Sequence, residues 1–247
     1  MSGSLPRRAW RATVPFAWRT RISVWRQRRA RRQRIDLGDL KRTSPIELLW
    51  GRSRGGPIDR FYIERFLDRH RSDITGRVLE VGDSAYTRRF GMDVTRIDVL
   101  DIDPMNTRAT IVADVTHLQG VPADSFDCIV FTQVLQLVYD VRSAMRSLAR
   151  ILAPQGVLLA TLPGILRTAP AKPDYWRFTA LSATRLAEEA FDGGDVEVET
   201  YGNVLAAAAF LYGLGQDDLD RELLEVRDPA FEVTVGIRAA KASGPSA

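Results

Sequence analysis

One cysteine, two histidines and three lysines are all that this 247-residue chain holds of those types. Cys128 has no second cysteine to pair with, which excludes an internal disulfide and fits a reducing, cytoplasmic setting. The spacing of His70, His117 and the carboxylates does not gather a metal-ligand set, so no metal is expected. No apolar run reaches the roughly 18 residues that a bilayer span needs. The N-terminus also lacks an apolar stretch of about 7–15 residues between a basic start and a cleavage site, so a secretory signal is not expected.

What is present is a chain of 45% hydrophobic residues, enough for a sizeable core in one domain with an extension. The net charge of +4 hides a division. Residues 1–42 carry 13 Lys and Arg against Asp36 and Asp39, a local +11, which leaves −7 on the rest. The basic character therefore belongs to the first 42 residues, and the remainder is acidic. In that first stretch Trp10, Phe16, Trp18, Ile22 and Trp25 alternate with arginines. The composition suits a disordered tail or an amphipathic helix over 17–34, since Pro15 stops a helix from starting earlier. Trp and Arg together favour the headgroup region of an anionic membrane, which would place the protein at the inner membrane face. No specific nucleic-acid target is inferred.

Residues 43–56 read as a Gly-, Ser- and Pro-rich linker, 57–240 as the folded domain and 241–247 as a flexible end. Apolar residues Phe61, Tyr62, Phe66 and Leu67 recur at helical spacing over 59–70. From Arg77 short apolar runs alternate with helical segments. Strands are expected at 77–81, 94–100, 110–113, 128–132, 156–162, 196–201 and 231–238. Helices are expected at 86–90, 141–151, 180–190 and 204–212, with Leu181, Leu186 and Ala190 turned inward in the third. Such alternation points to an α/β fold with a mostly parallel sheet covered on both faces. In these sheets ligands bind beyond the carboxyl ends of the strands, at the topological switch point. The loops after the first, second and fourth strands are where chemistry is to be sought.

The first strand ends in Glu80-Val81-Gly82-Asp83-Ser84-Ala85-Tyr86. A glycine at a strand end lets backbone approach a ligand closely, and the acid before it can set the loop and favour a cationic ligand. The second strand carries Asp98, Asp101 and Asp103. A carboxylate at its end can accept both hydrogen bonds of a ribose diol. Asp98 is favoured, because 94–98 makes the best short strand, with Asp101 next. Asp114-Val115 follows the third strand, where an acid can contact an adenine amino group or cap the loop. Asp127-Cys128-Ile129-Val130-Phe131-Thr132-Gln133 forms the fourth strand and its exit.

The segment 125–140, the Ala153-Pro154-Gln155-Gly156 turn with the strand after it, and Asp174-Tyr175-Trp176-Arg177-Phe178-Thr179 together resemble class I S-adenosylmethionine-dependent methyltransferases of the type 11 kind. The last segment resembles a bacterial subgroup often associated with sugar or polysaccharide modification. The resemblance covers about 57–238 and excludes the tail. It implies a Rossmann-like seven-stranded sheet in order 3-2-1-4-5-7-6 with the seventh strand antiparallel, and S-adenosylmethionine as methyl donor. By position it implies Glu80, Gly82 and Asp83 at the methionine end and Asp98 or Asp101 at the ribose. Asp114 and Val115 would lie at the adenine, and Thr132 and Gln133 below the transferred methyl. The acceptor would be a small molecule or glycan, methylated on oxygen.

The family's later glycines are replaced here by Asp83-Ser84-Ala85-Tyr86, with Tyr86 placed to stack over the cofactor or close its pocket. A Glu-His pair frequent after the fourth strand is replaced by Gln136-Leu137. For a proton acceptor the chain then offers Asp174 and Tyr175 on the acceptor side and His117 after the third strand. These departures keep a second reading open, a catalytically inactive relative that works through partner or membrane binding. Because the tail is compositionally separate, a chain lacking residues 1–42 is expected to fold and to bind S-adenosylmethionine with near-normal affinity. Circular dichroism and calorimetric titration check both.

Overall fold

The computed structural model describes residues 38–168 and 173–243. The expected tail helix lies outside the described residues. So do 169–172 and the last four residues. Residues up to 43 and those from 44 onward form separate compact units. Of the first, a short 3-10 turn at Gly38–Lys41 is described. No helix among the described residues is long and apolar enough to cross a membrane.

In the second unit the elements run α1 (Ile58–Arg69), β1 (Gly76–Val81), α2 (Ala85–Phe90), β2 (Val94–Asp101), β3 (Ile111–Val112), β4 (Phe126–Thr132), α3 (Val141–Ile151), β5 (Leu152–Pro163), α4 (Ala180–Ala190), β6 (Asp195–Tyr201), α5 (Val204–Leu211), α6 (Arg221–Glu225) and β7 (Thr234–Ala240). The sheet order is β3-β2-β1-β4-β5-β7-β6. The strands are parallel except β7, which is antiparallel to both β5 and β6. This is the expected Rossmann-like sheet. The chain moves outward from β1 to β3 and then returns to the other side of β1, so the switch point lies between β1 and β4.

The near-continuous apolar runs of the central strands are explained by cover on both faces. One face packs Leu79, Ile129, Leu158 and Ile237 against α3 and α4. The other packs Val78, Cys128, Val130 and Leu159 against α1, α2 and α5. Gly236 of β7 lets α1 come close: a Cβ there would stand 2.6 Å from the Phe66 ring. Aspartate and threonine begin the helices on the first face. Asp140 accepts from the Ser143 amide at the start of α3, and Thr179 forms a capping box with Ser182 at the start of α4.

Several expectations shift. Leu181 is 72% exposed, and Ala183 and Ala187 are the residues α4 buries. Leu181 lies five residues from Leu186, well round the helix from the buried stripe. The Ala153–Gly156 turn is absorbed into β5, with Gln155 at φ +63°. β7 starts at Thr234 because Asp228 holds a turn first, accepting from the Ala230 amide through its side chain and from the Phe231 amide through its carbonyl. β3 shrinks to two residues. The short α6 is not foreseen. His70 is buried, facing Glu199 at 3.0 Å across the end of α1, which makes it structural.

The segment before α1 is packed rather than slack. The Ile46 amide donates to the Tyr212 carbonyl, Arg54 pairs with Asp218 and Pro57 bridges to Gly215. Its close brings Asp59 into the first turn of α1 with Oδ1 buried and unpartnered. Burial pushes the Asp59 carboxyl up to about 6, against the pull of Arg60 and the nearby backbone amides. The folded protein thus holds this proton more tightly than the unfolded chain does. The carboxyl costs nothing below about pH 4, and stability falls as pH rises from about 4 to 6. Asp59→Asn, which carries no charge to bury, is expected to raise stability at pH 7–8 by about 1–3 kcal/mol. It should also flatten the fall between pH 4 and 6. Urea unfolding as a function of pH measures both.

Candidate functional site

The carboxyl ends of β1, β2, β3 and β4 bring together four of the loops singled out by sequence. β1 leaves the sheet at Val81, paired with Leu100. Glu80, 2% exposed, turns its carboxylate to the start of α2 and accepts from the Tyr86 and Thr87 amides at 3.1 and 2.8 Å. Burial raises its pKa, and those same bonds oppose the rise. Glu80 therefore sets the loop from beneath.

Gly82 is the loop residue that requires glycine. Its φ is +82°, and a Cβ built on it would meet nothing within 4 Å. Backbone here borders open space. Asp83, Ser84 and Ala85, which stand where further glycines are usual, have no left-handed backbone. Asp83 accepts from the Ala85 amide at 2.9 Å and Ser84 precedes the first turn of α2. The replacement of glycine therefore carries no backbone strain. Tyr86 does not cover the loop: it is 8% exposed, stacks on Phe90 within the core and accepts from Arg60 at 2.8 Å.

The acid at the end of β2 is Asp101. Asn106 donates from one Nδ2 to Asp101 Oδ2 at 2.6 Å and to the Gly82 carbonyl at 2.8 Å. Asp101 and Gly82 are thereby joined. Asp98, the acid favoured from sequence, lies inside β2, which continues three residues beyond it. Side chains alternate along a strand, so Asp98 and Asp101 point to opposite faces. Asp98 is 5% exposed and engaged by Arg96 at 2.8 Å and Thr110 at 2.9 Å. Its short-strand signal was real, but the strand was longer than the signal.

After β3, the exposed Asp114 accepts from the Thr116 amide and hydroxyl at 2.8 and 2.7 Å, which lowers its pKa. The side chain of Val115 is in the core on the α3 face. His117 is exposed in the same turn, its amide bonded to the Asp114 carbonyl.

β4 ends at Thr132, paired with Thr161 of β5. Gln133 then adopts φ +55°, an uncommon backbone for a residue with a side chain. Gln136 donates to the Gln133 carbonyl at 2.8 Å. Gln133 Nε2 and Gln136 Oε1 are both buried without a partner. Each such atom costs about 1–3 kcal/mol unless something completes it. Trp50 adds to this pattern, with φ +59°, a buried unpartnered Nε1, and Arg167 4.6 Å above its ring.

Asp174 is not free to take a proton. Arg177 grips both its oxygens, at 2.5 and 2.9 Å. Tyr175 is 52% exposed and meets Tyr139 edge to face. The residues 173–178 are fastened to the β4 exit, since the Tyr175 amide donates to the Gln136 carbonyl and Trp176 Nε1 to the Val138 carbonyl. Asn106 was missed by sequence reasoning, and the Asp103-Pro104 turn was the available signal. Gln136 was noted only for replacing an acid.

Residues 76–160 match the family model for a methyltransferase domain. No curated protein matches the chain significantly. Among solved structures, a S-adenosylmethionine-dependent methyltransferase from Archaeoglobus fulgidus aligns at a TM-score of 0.50 and 13% identity, covering 74% of this chain and 94% of that one. A protein from Galdieria sulphuraria, provisionally described as a sarcosine dimethylglycine methyltransferase, aligns at 0.50 and 15%, covering 76% and 91%. At these identities the likeness is one of fold, and the fold it establishes is that of the Rossmann-like methyltransferases.

Proposed function

We propose that the protein is a S-adenosylmethionine-dependent methyltransferase that methylates an oxygen of a small molecule or glycan. The observation that carries this reading is the left-handed Gly82 beside open space, linked through Asn106 to Asp101. The residues present fit the cofactor. Gly82 and Asp83 border the methionine end, above the loop that Glu80 sets. Asp101 offers its carboxylate to the ribose diol. Asp114 and the backbone at Val115 serve the adenine. Thr132 and Gln133, at the β4 exit, lie toward the methyl.

When bound, the cofactor supplies a methyl group on a sulfonium, open to in-line displacement. What the chain contributes is placement. Holding the acceptor oxygen about 3 Å from the methyl replaces an encounter in solution with an intramolecular step. The strained Gln133 backbone and the unmet amide atoms of Gln133 and Gln136 are polar groups already oriented, which regain their bonds when a ligand arrives. With Asp174 held by Arg177, the acceptor's proton is not assigned to that carboxylate.

Gly82→Val forces a branched side chain into a left-handed position and into the open space. It is expected to lower S-adenosylmethionine affinity at least a hundredfold in calorimetric titration, with the circular dichroism of the fold retained. Unchanged affinity would put the site elsewhere. The two acids separate likewise. Asp101→Ala should weaken cofactor binding tenfold or more, whereas Asp98→Ala should leave affinity within about twofold and lower the melting temperature. The reverse result would return the ribose to Asp98.

A further inference from the structure

Beside the β4 exit stands a group of aromatic rings that the cofactor site does not use. Tyr139 is 71% exposed, Tyr175 52% and Trp176 38%. Their exposure is built rather than incidental. Tyr139 meets Tyr175 edge to face at 5.4 Å and lies at a shallow 33° to Trp176, 6.1 Å away. The segment carrying Tyr175 and Trp176 is anchored at four carbonyls: Gln136 and Pro163 accept from the backbone amides of Tyr175 and Phe178, Val138 from the Trp176 indole, and Leu166 from Arg177. Aromatic rings held firmly in water at this cost of apolar exposure mark a contact surface.

Tyr139 and Trp176 border a groove of about 710 Å³ between the start of α3 and the length of α4, along which Asp140, Arg142, Arg185, Leu186 and Glu189 are placed. Each of its arginines already has a carboxylate partner, and its remaining acid, Asp140, accepts from the Ser143 amide. Arg142 meets Glu189 at 2.9 Å across the groove, Arg177 meets Asp174, and Arg185 meets Glu188 at 3.4 Å. A phosphate or carboxylate ligand would have to displace a carboxylate from its arginine. A neutral polyhydroxylated ring would not. Its C–H face can lie on Tyr139 and Trp176, while its hydroxyls accept from Arg142 and donate to Glu189 with no net charge transferred.

We infer that this aromatic platform and groove bind a neutral pyranose unit of the acceptor. The Tyr175–Gln136 backbone bond ties the platform to the β4 exit, which is the link between this surface and the proposed cofactor site. This deepens the methyltransferase reading and rests on it for its purpose, though not for its test.

The full-length chain is examined by saturation-transfer NMR with maltopentaose and cellopentaose as neutral oligomers and a galacturonate pentamer as a charged comparator. Transfer to the ring C–H protons of at least one neutral oligomer is expected. Tyr139→Ala removes a side chain that is mostly in solvent, so the fold should persist and affinity fall at least tenfold. Trp176→Phe, which keeps a ring, should lose less. The inference is overturned by no transfer to either neutral oligomer, by preference for the galacturonate, or by an unchanged signal in Tyr139→Ala. Self-association of the chain that Tyr139→Ala abolishes would also overturn it, by making the ridge a protein interface. Calorimetry with S-adenosylmethionine runs alongside. Heat without saccharide transfer removes only the platform, and transfer without heat removes only the methyltransferase reading.

Discussion

The site depends on one buried carboxylate. Glu80 lies one residue before the end of β1, is covered by protein, and accepts from the Tyr86 and Thr87 amides in the first turn of α2. Those amides belong to the first turn of a helix and have no partner within it, so they need an acceptor from outside. A carboxylate there also meets the positive end of the helix dipole. Burial makes its charge costly, and the amide bonds offset that cost, as the opposed influences on its pKa record. The consequence is geometric. With the strand end and the helix start tied to one side chain, residues 82–84 have a short fixed span to cross, and Gly82 makes the turn.

That constraint explains why the unusual loop sequence is tolerable. In a loop held only by its own backbone, several glycines would be needed to reach left-handed conformations. Here the turn is completed at one residue, and Asp83 and Ser84 serve the helix start. From sequence, Asp83-Ser84-Ala85 stood out as a departure from the family's glycines, with small residues that still permit close approach but make positive φ costlier. In the structure it is a helix start, with small side chains beside the one glycine that borders open space. The reading of an inactive relative took much of its support from those substitutions, and no strain at them sustains it.

Most elements were legible because they follow from local periodicity, as with Ala144, Leu148 and Ile151 lining the buried side of α3, whereas the order of the strands came with the family resemblance and not from any local pattern. What was not legible depended on contacts remote in sequence. Asp98 and Asp101 differ by which face of β2 they point to and where that strand stops, and the stop is set by pairing with β1 and β3. Leu181 reads as core by hydrophobicity, yet the capping box at Thr179 fixes a phase that turns it outward. Asp174 reads as a free acid until Arg177 is seen to hold both its oxygens. Asn106 enters the site through a turn that no periodicity encodes.

Some buried polar groups at the carboxyl end of the sheet have no partner within the protein. Gln133, Gln136 and Thr161 each keep a buried side-chain atom without a partner there. A fold that leaves such groups unmet gives up stability, and natural proteins retain the loss where a ligand restores the bonds. The Gln133 backbone belongs to the same account, since a left-handed residue persists only where its surroundings over-determine it. Its amide is held by the Thr161 carbonyl and its carbonyl by Gln136, whose own carbonyl receives the Tyr175 amide. The β4 exit is thus shared between two surfaces, cofactor loops on one side and the aromatic ridge on the other. Gln136 joins the two, since its side chain donates to the Gln133 carbonyl and its own carbonyl accepts from the Tyr175 amide.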